Sequence, residues 1–125
     1  MKLVLLYSLS ALIITMIPSK LLQEILKDPY YRKCIRHKEK SCKGRITFEH
    51  AWTWGGKQIQ EKWAIVPCCA YHHEVDQYQD GGGMIKELNQ YHALMRATKE
   101  DLLKYPKTNW GQHRKYFKSK YGEIT

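Results

Sequence analysis

The chain has 125 residues, which is enough for one domain and excludes two hydrophobic cores of ordinary size. Its 21 Lys and Arg outnumber 12 Asp and Glu, so the formal charge is +9. That balance favours a polyanionic partner such as nucleic acid, the alternative being a merely soluble basic protein. Nine Tyr and four Trp strengthen the first interpretation, since aromatic faces stack on bases while cations neutralise phosphates.

Residues 1–17 form an apolar leader, MKLVLLYSLSALIITMI. It is long enough for the core of a signal peptide but short for a membrane span, and no Ala-x-Ala cleavage site follows it. Three interpretations stay open: a signal peptide, a membrane anchor, or an upstream extension of a chain whose working start is Met16. The third is favoured because the remaining cysteines and histidines are typical of a cytosolic zinc protein. We therefore expect a cytoplasmic protein, exported or tethered to a membrane only if the leader is a true signal or anchor.

Residues 18–125 are predicted to form a single domain that begins with a helix. Ser19 is suited to cap this helix, and Asp28-Pro29 should end it, because the residue before a proline avoids the helical region. A short, highly charged loop follows between Cys34 and Cys42. Such a loop has little apolar surface to bury, so a metal ion bridging its ends could fix it. The alternative is a pair of ordinary buried thiols.

Two β-strands are predicted next. Residues 45–51 alternate between apolar and polar side chains, which is typical of a half-buried strand. Residues 63–66 (WAIV) predict a second strand, which Pro67 should stop. Between them Gly55 and Gly56 can supply a turn, so the strands are expected to pair as an antiparallel hairpin with a long loop.

The second half of the chain is predicted to be helical, which makes the fold class α+β. Helices are expected at residues 69–79, 84–97, 98–105 and 110–120. Thr98, with Asp101 three residues later, indicates a capping box. Asn109 is suited to cap the last helix.

Thiolate and imidazole ligands in groups of four are typical of structural zinc, which prefers tetrahedral nitrogen and sulfur sites. We assign such a Zn²⁺ site to Cys34, Cys42, Cys69 and His72. The Cys-x-x-His spacing suits a strand-to-helix turn, whereas the two upstream cysteines are further apart than in the usual knuckle. His37 could therefore replace Cys42. Cys68 is predicted to point to the other side as a hydrophobic filler.

Glu49 and His50 are adjacent on the first predicted strand, so their side chains should diverge unless the strand ends or bulges there. A carboxylate can bind a divalent metal while a neighbouring imidazole activates water. The alternative is a chance pair of surface residues.

The most basic segment lies in the last predicted helix. We predict that it contacts nucleic acid through Arg114, Lys115, Lys118 and Lys120. An alternative footprint consists of Arg36, Lys38, Lys40 and Lys43.

Taken together, these motifs resemble the HNH, or ββα-metal, endonucleases, which are built on a treble-clef zinc scaffold, and specifically the small phage-type HNH-like proteins. That family has an acid-histidine pair at the end of the first hairpin strand. Its second strand runs into a Val-Pro-x-Cys turn, and a Cys-x-x-Cys-His or Cys-x-x-His-His motif opens the helix. The matching stretches here are EH at residues 49–50, VPCC at 66–69 and CAYHH at 69–73.

The resemblance implies that Glu49 binds a catalytic Mg²⁺ or Mn²⁺ ion, that His50 is the general base, and that His73 is the second metal ligand. It also implies a partner and substrate, DNA, whose phosphodiester bonds would be hydrolysed in a bacterial host without a small-molecule cofactor. One position departs from the pattern: the family's central asparagine falls at Ala64. Asp76 is the best substitute, since it lies one helical turn beyond His73.

For architecture, the resemblance implies a zinc-stapled ββα core over residues 34–83, an antiparallel hairpin plus helix, with a helical extension over 84–125. The alternative is a non-catalytic treble-clef zinc module that binds DNA or a phage or host protein. It is favoured by Ala64 and by glutamate where the family more often has aspartate.

Overall fold

A computed structural model describes residues 17–39, 41–73 and 83–122 of the chain, which combine helices with two two-stranded antiparallel sheets. The helices are α1 Ser19–Lys27, α2 Gly83–Arg96, α3 Lys99–Leu103 and α4 Trp110–Tyr121. The strands are β1 Ile46–His50, β2 Thr53–Trp54, β3 Lys57–Gln58 and β4 Ile65–Cys69. Short 3-10 helices lie at Pro29–Arg32, His37–Glu39 and Lys62–Ala64, and residues 70–73 are α-helical. The predicted α+β class is confirmed.

The apolar leader lies outside the described residues except for Ile17, which is buried against α1 together with Tyr31 and Ile65. Across the three described ranges, no helix combines the length and the apolar character needed to cross a bilayer.

Helix α1 ends where the sequence predicts but begins differently. Pro18 occupies the N-cap position and Ser19 lies inside the helix, so the prediction that Ser19 caps it is wrong. The reason is that the helical hydrogen bonds begin one residue earlier, because the Pro18 carbonyl accepts from the Leu22 amide at 2.9 Å. At the other end, Asp28 leaves the helix and caps the next turn instead, because its Oδ1 accepts from the Tyr30 amide at 3.0 Å.

Strands β1 and β4 form the predicted antiparallel hairpin, with Glu49 opposite Val66 and His50 opposite Ile65. The second strand is shifted, however: Trp63 lies in a 3-10 helix, and β4 continues through Pro67 instead of stopping there. The difference arises because, among the described strands, β4 pairs with β1 alone. Its other edge pairs with no described strand, so a residue without an N–H is tolerated on that side. The Pro67 carbonyl faces that edge and accepts from the Ile35 amide at 3.0 Å, so the missing proline N–H falls on the same side.

The loop between β1 and β4 contains a hairpin of its own. Gly55 and Gly56 have φ of +62° and +79°, as two-residue hairpin turns require, and join β2 to β3. The glycines therefore form a turn as predicted, but within the loop. Ile59 then enters the core, 2% exposed, and its amide donates to the Trp52 carbonyl at 3.0 Å. The loop is thus folded back on the end of β1.

The C-terminal helices confirm the sequence-based capping predictions. Thr98 and Asp101 form a complete capping box at α3, and Asn109 accepts from the Gln112 amide at 3.1 Å at the start of α4. The main core lies between these helices and the hairpin. It includes Trp52, Trp63, Val66, Leu94, Trp110 and Phe117.

Candidate metal centre and acid-histidine pair

Three separate segments bring the four predicted zinc ligands together. Cys34 follows the first 3-10 helix, Cys42 precedes β1, Cys69 ends β4, and His72 lies in the helical turn that β4 enters. Their ligand atoms all lie within 4.8 Å of one another, close enough to hold one metal ion. Cys34, Cys69 and His72 are no more than 2% exposed. The alternative ligand, His37, instead has its Nδ1 3.0 Å from the Cys34 carbonyl.

The spacing of these atoms fits a tetrahedral zinc ion. Nδ1 of His72 lies 3.5 Å from Cys34 Sγ, 3.6 Å from Cys42 Sγ and 3.2 Å from Cys69 Sγ. Zinc bonds of about 2.3 Å to sulfur and about 2.0 Å to nitrogen, at tetrahedral angles, place such atoms about 3.5 Å apart. Both the donor types and their separation therefore suit structural zinc.

Neighbouring groups hold the ligands in place. Ser41 Oγ lies 2.9 Å from Nε2 of His72, the ring nitrogen that faces away from the sulfurs. The Arg36 and His72 amides each donate to a ligand sulfur, Cys34 and Cys69 respectively, at 3.4 Å. These N–H groups favour the thiolate form that a metal requires.

The cysteines of the cluster do not ionise independently, because a thiolate at one of them disfavours a second thiolate beside it. Hydrogen bonding from Cys68 lowers the pKa of Cys34 to about 4. Burial, followed by the nearby Cys34, raises the pKa of Cys42 to about 12. A second thiolate is therefore costly beside the first unless a cation offsets their repulsion, which is what a bound metal ion would do.

Cys68 lies outside the four-ligand cluster and is fully buried, as expected of a hydrophobic filler. The sequence did not indicate that Cys68 also contacts a predicted zinc ligand. Its thiol hydrogen-bonds to Cys34, and this bond together with burial raises the pKa of Cys68.

Gly44 explains how the chain can pass so close to the ligand-bearing turn. It has φ of +85°, and a Cβ at this position would lie 2.8 Å from the Ala70 Cβ. Because the approach is close, the Arg45 carbonyl accepts from the Ala70 amide at 2.9 Å and the Lys43 carbonyl accepts from the Tyr71 amide at 3.0 Å. These bonds satisfy amides that the start of a helix leaves unpaired.

Glu49 and His73 meet beside this centre. Glu49 Oε1 lies 3.0 Å from Nδ1 of His73, and both side chains are partly exposed. The second oxygen, Oε2, is buried and has no hydrogen-bond partner of normal geometry among the residues that the structure describes; the Cys68 thiol lies near this carboxylate, whose charge helps to raise the pKa of Cys68. An unpaired buried carboxylate oxygen is unfavourable, so this site is suited to accept a cation.

His50, which follows Glu49 in β1, contacts a residue of the interstrand loop instead of His73. Its Nε2 lies 2.8 Å from Oε1 of Gln60, in the loop between the strands. The sequence analysis missed Gln60; the available signal was a polar amide in the same loop as Ala64. Ala64 itself is fully buried in the core and contributes only its backbone, whose carbonyl accepts from the Ala51 amide at 2.8 Å.

The other predicted site residues differ in what they contact. Asp76 lies outside the described residues. Arg114 donates through Nη2 to the carbonyls of Leu94 and Ala97, at 3.2 and 2.6 Å, and so binds the end of α2. Lys120 pairs with Glu87 at 2.8 Å. Lys115 and Lys118 are exposed, and contact with nucleic acid stays a prediction.

No protein-family model, curated protein or solved structure matches this chain.

Proposed function

We propose that this protein is a metal-dependent endonuclease of the HNH type, which hydrolyses DNA phosphodiester bonds on a treble-clef zinc scaffold. The observation that carries the proposal is the Glu49–His73 pair. Glu49 Oε1 and His73 Nδ1 lie 3.0 Å apart, and the other carboxylate oxygen of Glu49 is buried and unpaired among the described residues. Glu49 immediately precedes His50, the last residue of β1. A carboxylate, two imidazoles and a nearby thiolate-imidazole cluster are the groups that such an enzyme needs.

The pair fits a divalent ion. Two ligands about 2.1 Å from an octahedral ion, on adjacent corners, lie about 3.0 Å apart, which matches the separation of Glu49 Oε1 and His73 Nδ1. Of the two expected ions, Mn²⁺ suits this pair better, since imidazole suits transition metals while Mg²⁺ prefers oxygen ligands. When bound, such an ion supplies stabilisation of the negative charge on the phosphate and the leaving oxygen.

His50 would accept the proton of the attacking water. With Gln60 Oε1 as acceptor, Nε2 of His50 carries the ring proton, and Nδ1 keeps the lone pair that a general base needs. Among the described residues, none makes a hydrogen bond to Nδ1.

The zinc centre would support catalysis from a distance. His73 directly follows the ligand His72, and β4 runs into the ligand Cys69 while pairing with the strand that carries Glu49. Fixing the turn on β4 therefore fixes His73 relative to Glu49. The net charge of +9 would supply the attraction to DNA.

A plasmid-nicking assay tests the proposal. Zinc-loaded protein should cut DNA when Mn²⁺ or Mg²⁺ is added, and His50→Ala should lower the rate about 100-fold or more while zinc content and DNA affinity stay unchanged. Imidazole in solution should partly restore the variant.

A non-catalytic zinc module is the second candidate, and buried Ala64 favours it because no amide side chain is present at that position. The same assay separates the two functions. Zinc-loaded wild-type protein that binds DNA but leaves supercoiled, linear and single-stranded forms uncut with magnesium, manganese, cobalt and nickel would overturn the enzyme and support the module.

A further inference from the structure

We propose that Gln60, in the interstrand loop, is the positioning residue for His50. It supplies a side-chain amide that Ala64, at the position of the family's asparagine, does not have. The proposal rests on the function proposed above. Its basis is the 2.8 Å contact between Gln60 Oε1 and His50 Nε2.

The position of Ala64 shows why the amide comes from elsewhere in the loop. Its side chain is fully buried in a cluster that includes Trp63 and Val66. A larger polar side chain there would be overpacked and would place an amide among apolar groups. Gln60 is exposed, and its side chain reaches His50 from the surface.

The loop is held on the N-terminal side of Gln60 by the core. Ile59 is 2% exposed, and its amide donates to the carbonyl of Trp52, two residues after His50. Burial of the isoleucine side chain stabilises this contact, so the anchor resists local opening. The backbone that carries Gln60 is therefore tied to the segment that carries His50.

On the C-terminal side, the Glu61 carboxylate is held by the segment that follows α3. The Tyr105 hydroxyl donates to Oε2, and Lys104 Nζ lies 3.3 Å from Oε1. Burial and the hydrogen bond to Glu61 raise the pKa of Tyr105, so its hydroxyl stays a donor across the working pH range. Gln60 is thus fixed between a buried anchor and an ionic one.

An amide oxygen held in this way selects one form of the histidine ring. It accepts only from a protonated Nε2, which leaves the proton-accepting lone pair on Nδ1 and limits rotation of the ring. A residue with this role changes the rate of the chemical step and leaves DNA binding unchanged.

Nitrogen NMR of the imidazoles tests the structural part without relying on cleavage. At about pH 9, where ordinary histidines are neutral, wild-type His50 should carry its proton on Nε2. Gln60→Ala should give a mixture of the two ring forms, and Gln60→Glu, which keeps an oxygen acceptor, should restore the Nε2–H form. A wild-type ring protonated on Nδ1, or a spectrum unchanged in Gln60→Ala, would overturn the proposal even if the protein cuts DNA.

Kinetics test the catalytic part. Gln60→Ala should lower kcat about 10- to 100-fold with little change in KM, and Gln60→Glu should recover most of the loss. The matched control is Gln58→Ala, since Gln58 lies in the same loop and makes no hydrogen bond to His50 among the described residues; it should keep kcat. Equal kcat in wild type and Gln60→Ala, at equal zinc content, would overturn the catalytic role. If wild-type protein cuts no DNA, the proposed function and this catalytic role both fail, and the NMR result alone decides the hydrogen bond.

Discussion

Ser41 Oγ lies 2.9 Å from Nε2 of His72, on the opposite side of the ring from the nitrogen that faces three cysteine sulfurs. A hydroxyl at this distance can accept the Nε2 proton, which leaves Nδ1 unprotonated and turned toward the cluster. Ser41 directly precedes the ligand Cys42, so a single short segment supplies both a ligand and the group that orients another ligand.

We predict that Ser41→Ala weakens zinc binding about 10- to 100-fold, as removal of outer-shell partners generally does. Competition with a colorimetric chelator measures the affinity. Ser119→Ala, on the exposed surface of α4, is the matched control and should bind as wild type does. Equal affinity in both variants would show that the hydroxyl does not orient the ring.

The two adjacent cysteines should respond differently to substitution. Cys69→Ser removes a ligand, and because structural zinc contributes roughly 10 kcal/mol or more to such folds, the domain should lose both metal and structure. Cys68→Ala removes a buried thiol that is not a ligand, together with its hydrogen bond to Cys34, so it should keep zinc at a cost of about 1–2 kcal/mol of stability. Elemental analysis and circular dichroism measure the two effects. Folded Cys69→Ser protein without zinc would contradict the structural role of the metal.

Substitution of Glu49 should weaken binding of the catalytic divalent ion and leave binding of the structural zinc unchanged. Glu49→Ala leaves the cysteine cluster intact, so zinc content should not change. The Mn²⁺ concentration for half-maximal cleavage should rise about tenfold or more, since even outer-shell partners of a metal carry effects of that size. Titration of the cleavage rate with Mn²⁺ measures the change, and an unaltered midpoint would remove Glu49 from the ion site.

Asp28 should make stability depend on pH in one direction. The Tyr30 amide, then Lys62 and Arg96, hold the pKa of this carboxyl below its ordinary value. Its contribution is therefore complete above the unfolded pKa of about 3.9 and is lost as pH falls through the lower folded pKa. Asp28→Asn keeps a capping oxygen but loses the charge, so it should be less stable than wild type at about pH 7 by less than about 1 kcal/mol.

Urea unfolding of zinc-loaded wild type and Asp28→Asn at about pH 7, in low and in high salt, measures this difference. The difference should shrink as salt screens the Asp28 carboxylate from Lys62 and Arg96, and it should be the same at about pH 6, which is still above the unfolded pKa. A difference that does not respond to salt would mean that Asp28 gains nothing from its cationic neighbours.

The basic helix should contain two kinds of cation. Arg114→Ala removes two hydrogen bonds to the end of α2 and should lower Tm. Lys115→Ala should leave Tm unchanged and reduce the salt dependence of duplex binding by about 0.9 in log–log slope if this lysine neutralises one phosphate. An unchanged slope would shift the footprint to the alternative cations, Arg36, Lys38, Lys40 and Lys43.

Short-range patterns in the sequence determined the elements whose stability depends on neighbours in the chain. The Thr98–Asp101 capping box and the Asn109 cap need partners only three residues away, so the sequence alone predicts them. The Cys-x-x-His spacing likewise predicts that Cys69 and His72 share one site, because a helical turn brings such residues together.

Tertiary structure decided the contacts that join distant segments. No local pattern indicates that Pro67 lies on a free sheet edge, that Arg114 reaches the carbonyls of another helix, or that Cys68 hydrogen-bonds to Cys34. Gln60 meets His50 only because Ile59 folds the interstrand loop back onto the end of β1. The sequence specifies which groups are available for a site, while their distances depend on how the loops between them close and on what the core leaves room for.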